Sequence, residues 1–365
     1  MSNILAFPGR QRPTSQDTCE RLIACFAQRR QPETEVFWLK ENAELLGILA
    51  VTGQKLDRDA LVPFAPFYNE LPQRLEFFPQ YYRFLISLCL DLETLGIEGD
   101  MGRQLCRWAQ EHGLAEAELS DLQRAEARRL LARRDPKIAL DADALAERLR
   151  AFMARSQTFA IPNRKAAYEL THIVFYLSNY GARDPGLERE ALTSLEFAGI
   201  VAFLDQDMDL LAEICVALVY AGVEPSRLWQ DAVVACHRGI ELTDARSGRY
   251  DAYHEYLVTG WAASLLVNDA FRTEVPEGRP CFYRPNTARS ALGPLSTCLK
   301  DLGEGRLADW NLMKPHVMAR LTPEAIGIVL NAERSTAHFE SFFECFARVS
   351  RVQPRQEQIG IATGA

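Results

Sequence analysis

Fourteen residues, Tyr168 to Gly181, carry the densest run of groups able to do chemistry in this chain. On a helix turning about 100° per residue, Leu170, Ile173, Val174 and Leu177 share one apolar face. Glu169, His172, Tyr176 and Asn179 fall beside it as a narrow polar and aromatic stripe. A solvent face normally carries Lys, Arg or Glu pairs, and no lysine or arginine follows Lys165 in this stretch. The stripe therefore reads as the lining of a cavity. Glu169 and His172 form an E-x-x-H pair, which a helix presents on one side. That suits a shared metal ion or an imidazole oriented by a carboxylate. In an enzyme, His172 would act as general base or ligand, Glu169 would orient it, and Tyr176 would donate a hydrogen bond. The plainer alternative is a partly buried histidine satisfied by its own i−3 glutamate.

A second segment, Asp251 to Trp261, echoes the first with a D-x-x-H pair, Asp251 and His254. His254 shares its stripe with Leu257, Val258, Trp261 and Leu265, a pattern that also describes a core histidine held by one hydrogen bond. His172 and His254 stand 82 residues apart, and equivalent helices of an array can aim both at one cavity. Two carboxylate-x-x-His helices with further carboxylates resemble helical dimetal sites. This reading makes His172, His254, Glu169 and Asp251 ligands of a divalent metal such as Fe or Zn. Glu44 and Glu213, which align with each other, would add carboxylates. Such sites use Glu in both pairs, and here one member is Asp251. Asn179, His254, Asp251 and Trp261 are the expected ligand-binding residues.

Other signals point to packing. Cys236 and His237 are adjacent, so a helix would splay them about 100° apart. Asp205-Gln206-Asp207-Met208-Asp209 opens like a calcium loop but lacks its glycine and closing glutamate, so it reads as a turn. Arg124, Arg128, Arg129, Arg133 and Arg134 read as a solvated basic helix end. The aromatic cluster from Phe64 to Phe84 reads as core between helices, or as a pocket wall. No GxSxG, P-loop or GxGxxG motif occurs.

These side chains need helices to hold them, and the pattern offers little else. Apolar residues recur at three- and four-residue steps along most of the chain, with no Asn-Gly hairpin signal. Ser120 with Gln123, Thr193 with Glu196, and Thr322-Pro323-Glu324 mark helix starts. Apolar helices run into Gly53, Gly96, Gly181 and Gly222 at steps near 42 residues or twice that. Units of that size are helical hairpins, and about seven fill the chain. The expected fold is all-α, antiparallel hairpins closed as an α/α toroid, with an open HEAT-like solenoid as the alternative. One domain is expected over 17–350, with a half boundary near 158–163, a flexible segment over 1–16 and a disordered tail over 351–365.

The chain has 365 residues, 48% of them hydrophobic, and a net charge of −8. An acidic balance argues against nucleic acid and disfavours an anion-rich ligand. No apolar run is long enough to span a membrane, and no signal-peptide core precedes the first helix, so a cytoplasmic protein is expected. Nine cysteines without a C-x-x-C pair read as reduced core thiols.

Phe37 to Leu46 (FWLKENAELL), Phe78 to Phe84, Tyr168 to Leu177 (YELTHIVFYL) and Tyr253 to Leu257 (YHEYL) resemble the signature segments of an uncharacterised bacterial family, a domain of unknown function. The resemblance spans about residues 17–350 and implies no activity. The Leu-Thr-His-x-x-Phe helix with a later Tyr-His helix also looks like helical proteins encoded near peptide natural-product genes. Ring-shaped lanthionine cyclases are an architectural cousin; of their zinc ligands only Cys236-His237 has a counterpart. The expectation is a central cavity that binds a small molecule or peptide, in a metal-assisted or histidine-based enzyme. The alternative is a non-catalytic helical scaffold for a partner protein.

Overall fold

The computed structural model describes residues 14–135, 137–138, 144–244, 251–285 and 289–349. Most of the N-terminal segment and the whole C-terminal tail expected to be unstructured lie outside these residues. The described chain is all-α apart from one short ladder. Its first half holds α1 (Ser15–Cys25), α2 (Val36–Val51), α3 (Ala65–Phe77), α4 (Tyr82–Leu95), α5 (Met101–Glu111), α6 (Asp121–Ala132), α7 (Ala144–Met153) and α8 (Ser156–Phe159). Then follow α9 (Arg164–Leu177), α10 (Arg189–Asp205), α11 (Met208–Tyr220), α12 (Arg227–Gly239) and α13 (Tyr253–Val267). The chain closes with α14 (Leu292–Asp301), α15 (Trp310–Met318), α16 (Pro323–Ser335) and α17 (Phe339–Phe346).

Six of these helices matter for the site. α2 packs on α4, α4 on α6, α6 on α9, α9 on α11, α11 on α13, and α13 returns to α2. Hydrogen bonds between neighbours join residues at regular steps: Arg133 to Asp91 across 42 residues, Thr171 to Glu213 across 42, and Trp261 to Tyr220 across 41. α11 is the most enclosed of the six: every residue from Leu210 to Leu218 is buried, and Glu213 is the single charge among them. A helix apolar on all sides belongs in the middle of a structure. Of the last four helices, α14, α16 and α17 pack on α10, α16 also packs on α12, and α15 packs on α14 and α17.

Local signals explain the helix ends. Gly53, Gly96, Gly181 and Gly222 all have positive φ, the conformation glycine adopts at least cost. At Gly181 a Cβ would also lie 2.4 Å from the Tyr220 ring, so no other residue fits there. Thr322 caps α16, its hydroxyl accepting from the Ala325 N–H at 3.3 Å, with Pro323 next. The capping expectation fails at Thr193, which lies inside α10 and whose hydroxyl donates to the Arg189 carbonyl at 2.9 Å. Ser120 precedes α6 but makes no capping bond.

The ladder pairs β1 (Glu241–Asp244) with β2 (Pro280–Tyr283), antiparallel, with Leu242 opposite Phe282. It lies outside the sequence expectation because α13 separates the strands, so no hairpin turn signals it. None of the nine cysteines forms a disulfide, and seven are buried. Burial pushes the Cys19 and Cys106 thiols up to about 12, which leaves them inert core residues.

Candidate functional site

The six contacting helices surround a cavity of about 480 Å³, a size that holds a small organic molecule. Of the residues expected at a site, His172, Tyr176, Asn179, His254 and Trp261 line it, and so do Glu44 and Glu213. Glu169 and Asp251 do not.

Each absence has a cause. Glu169 is half-buried with its carboxylate 3.9 Å from Lys165, and the His172 Nδ1 hydrogen bond goes to the Tyr168 carbonyl in its place. Asp251 is part of a structural knot. Its carboxylate accepts from Arg30 at 2.8 Å and from the Phe282 N–H at 3.1 Å, and Arg30 also binds the buried Glu41 at 2.7 Å. The Arg30 guanidinium lies over the Phe26, Tyr253 and Phe282 rings as well. Asp251 thus fixes the start of α13 onto β2 and the turn after α1.

A residue from the presumed turn takes Asp251's place. Asp207 caps α11, accepting from the Leu210 N–H at 3.3 Å. That sets Asp209 on the first turn, four residues before Glu213 and on the same face. Asp209 accepts from His254 Nδ1 at 2.7 Å and from the Tyr168 hydroxyl at 3.0 Å. One ligand atom each from Asp209, Glu213 and His254 lies within 4.8 Å of the others. Glu44 Oε1 stands 3.9 Å from His254 Nε2. His172 Nδ1 donates to the Tyr168 carbonyl at 2.8 Å and lies 3.6 Å from Glu213, which leaves Nε2 with its lone pair. Thr171 donates to Glu213 at 2.6 Å.

The electrostatics are those of crowded carboxylates short of positive charge. Burial raises the Glu213 carboxyl above its usual range, against the pull of His172 and His254. Burial raises Glu44 as well, and its Oε2 is buried without a hydrogen-bond partner. Burial pulls His254 down, but the Asp209 hydrogen bond and the charges of Asp209, Glu44 and Glu213 outweigh it and lift the imidazole to about 9. The proton held on His254 supplies part of the compensation, and a divalent cation would compete with it.

The rest of the lining is aromatic and basic and adjoins the histidine: the Phe175 ring lies 5.6 Å and the Tyr176 ring 6.0 Å from that of His172. Phe175, Tyr180 and Trp261 interlock, with Tyr180 stacked on Trp261 at 5.8 Å. Arg83, Arg129 and Arg133 also line the cavity. The solvated basic helix end expected at Arg124–Arg134 is therefore corrected at its core. Arg129 is buried, Arg133 binds Asp91 at 2.6 Å, and Arg134 pairs with Glu93. An arginine among Ala125, Ala127, Leu130 and Leu131 was the only available sign, and charge composition outweighed it. His237, by contrast, is a core residue. Its Nε2 accepts from the Phe271 N–H at 3.2 Å and its ring packs 4.9 Å from Tyr256.

Among the described residues no helix is long and apolar enough to cross a membrane. No curated protein and no solved structure matches the chain. A family model for a domain of unknown function matches residues 1–349. With nearly its whole length matched, the chain belongs to the DUF6902 family.

Proposed function

We propose that the protein is an α/α toroid whose central cavity binds a small organic molecule over a metal-dependent, histidine-based centre. The cyclic packing of α2, α4, α6, α9, α11 and α13 supports the toroid over an open solenoid, whose terminal helices would not meet. The observation that carries the functional reading is the convergence of Asp209, Glu213 and His254 within 4.8 Å beside Glu44 and His172.

Three carboxylates and two imidazoles form a donor set for a divalent transition metal such as Fe or Zn. The Oε2 of Glu44, buried without a hydrogen-bond partner among the described residues, is a donor that suits a cation. Glu213, Glu44 and His254 would be the ligands, with His172 able to join them through Nε2. Asp209 would orient His254 as a carboxylate orients a ligating histidine, and Tyr168 fixes Asp209 in turn. A bound cation would polarise a ligand oxygen or activate a water. Beside it, His172 is placed to accept or return a proton, since its Nδ1 is committed to the Tyr168 carbonyl. The aromatic wall excludes water from the apolar part of the ligand.

The test is elemental analysis of gently purified protein, followed by Zn²⁺ and Fe²⁺ titration of wild type and Glu213→Gln. Stoichiometric metal in wild type, with affinity reduced about 100-fold or more in the variant, is expected. Wild type that neither carries nor takes up metal would overturn the metal centre and favour the scaffold reading.

A further inference from the structure

Among the described residues no acidic group pairs with Arg129. Only 8% of the residue is exposed, and its Nε is buried without a hydrogen-bond partner. Its contacts are the faces of Tyr180, 4.6 Å from the guanidinium carbon, and Tyr176 at 5.8 Å. The acidic groups around it are taken. Glu126 on its own helix is bound to Arg83, which also holds Glu118 at 2.9 Å. Asp91 is bound to Arg133 and to Ser87. Arginine cannot shed its proton to escape burial. A buried unpaired charge is costly even with aromatic faces beside it. The cost is explicable if an anion is meant to arrive.

Two neutral donors, the Tyr176 hydroxyl and the Asn179 side-chain amide, line the same cavity, and among the described residues neither has a hydrogen-bond partner. Tyr176 is buried, so desolvation holds its hydroxyl protonated as a donor. A guanidinium fork with a hydroxyl and an amide matches a planar carboxylate. One unpaired arginine balances one negative charge, and the acidic residues that line the cavity would repel a second. Phe84, Phe175, Tyr180 and Trp261 line the same cavity.

We propose that the cavity's ligand is an aromatic or apolar monocarboxylic acid, with its carboxylate seated on Arg129, Tyr176 and Asn179 and its body against the aromatic wall. This deepens the proposed function, since the Tyr176 ring lies 6.0 Å from that of His172, so a ligand seated there would sit beside the His–carboxylate centre. The carboxylate seat stands on separate residues and is tested separately.

The probes are phenylacetate, phenylacetamide and phenyl phosphate, titrated by calorimetry into metal-free and Zn²⁺-loaded wild type, Arg129→Gln and Glu213→Gln. Wild type should bind phenylacetate about tenfold or more tighter than the amide, as a charge-assisted hydrogen bond requires. Arg129→Gln should lose that preference while still taking up Zn²⁺. Glu213→Gln should keep the preference while losing Zn²⁺, so failure of the metal centre leaves the carboxylate result intact. Equal affinity for acid and amide in wild type, or no binding of either, overturns the proposal without reference to any variant. So does tighter binding of phenyl phosphate, which would make the seat a phosphate site.

Discussion

His237 and His254 stand on consecutive helices, and burial acts on them in the same direction with opposite results. His237, 3% exposed, is surrounded by Tyr256, Phe271 and Thr259, and burial pulls its imidazole down to about 4. His254 faces Asp209, Glu44 and Glu213, which overcome burial and lift it to about 9. Desolvation sets a common penalty; neighbouring carboxylates decide which protonation state survives. A neutral histidine inside an apolar shell is a structural part, and a cationic one among carboxylates marks a place where charge can be exchanged.

The largest effect expected from this contrast is on stability. The unfolded His237 titrates near 6.5 and the folded one near 4, so the unfolded chain binds the extra proton between those values. Stability from His237 is fully present above pH 6.5 and lost as pH falls toward 4, by about 3 kcal/mol. Urea unfolding at pH 7 and pH 4.5 should show this loss, and His237→Gln should flatten the slope; an unchanged slope in the variant would break the contrast.

A smaller effect isolates the partner of His254. Asp209→Asn removes a hydrogen-bonded anion at 2.7 Å, so the His254 titration in metal-free protein should fall from about 9 by about one unit or more. NMR titration of the ring protons measures it. A midpoint that stays put would mean that Glu44 and Glu213, rather than Asp209, distinguish the two histidines.

The smallest effect belongs to Glu169. Its partner Lys165 is solvent-exposed and 3.9 Å away, so Glu169→Gln should change stability by less than about 0.5 kcal/mol. Its metal uptake should equal wild type, as judged by Zn²⁺ titration; impaired uptake would return Glu169 to the site.

The helical character and the polar stripe on α9 were legible because both are local. A period of three to four residues and a glycine after an apolar run need no partner to be recognised. His172, Tyr176 and Asn179 were readable for the same reason, being spaced on one face. The i−3 carboxylates were misleading: Glu169 and Asp251 share a helix or helix start with their histidines, yet the partners that matter come from other helices. Asp209 reaches His254 across 45 residues and Glu213 reaches Thr171 across 42. Glu213 was accessible through its alignment with Glu44, and Asp209 through its four-residue step to Glu213. The one local sign at Arg129 is its place among Ala125, Ala127, Leu130 and Leu131, and it is weak because the faces that cover its guanidinium, Tyr176 and Tyr180, come from α9 and the turn after it.

The packing of α13 against α2 also has a consequence for the order of events during synthesis. The contact of Glu44 on α2 with His254 on α13, which closes the circuit, joins residues 210 positions apart. At 5–20 residues per second, roughly ten to forty seconds pass between the emergence of Glu44 and that of His254. Throughout that interval the nascent chain carries the cavity's first wall without its last. The entropy of closing so long a loop grows only slowly with length, so the delay is a matter of time more than of free energy. A ribosome stalled before residue 250 therefore holds a helical chain with no pocket to fill.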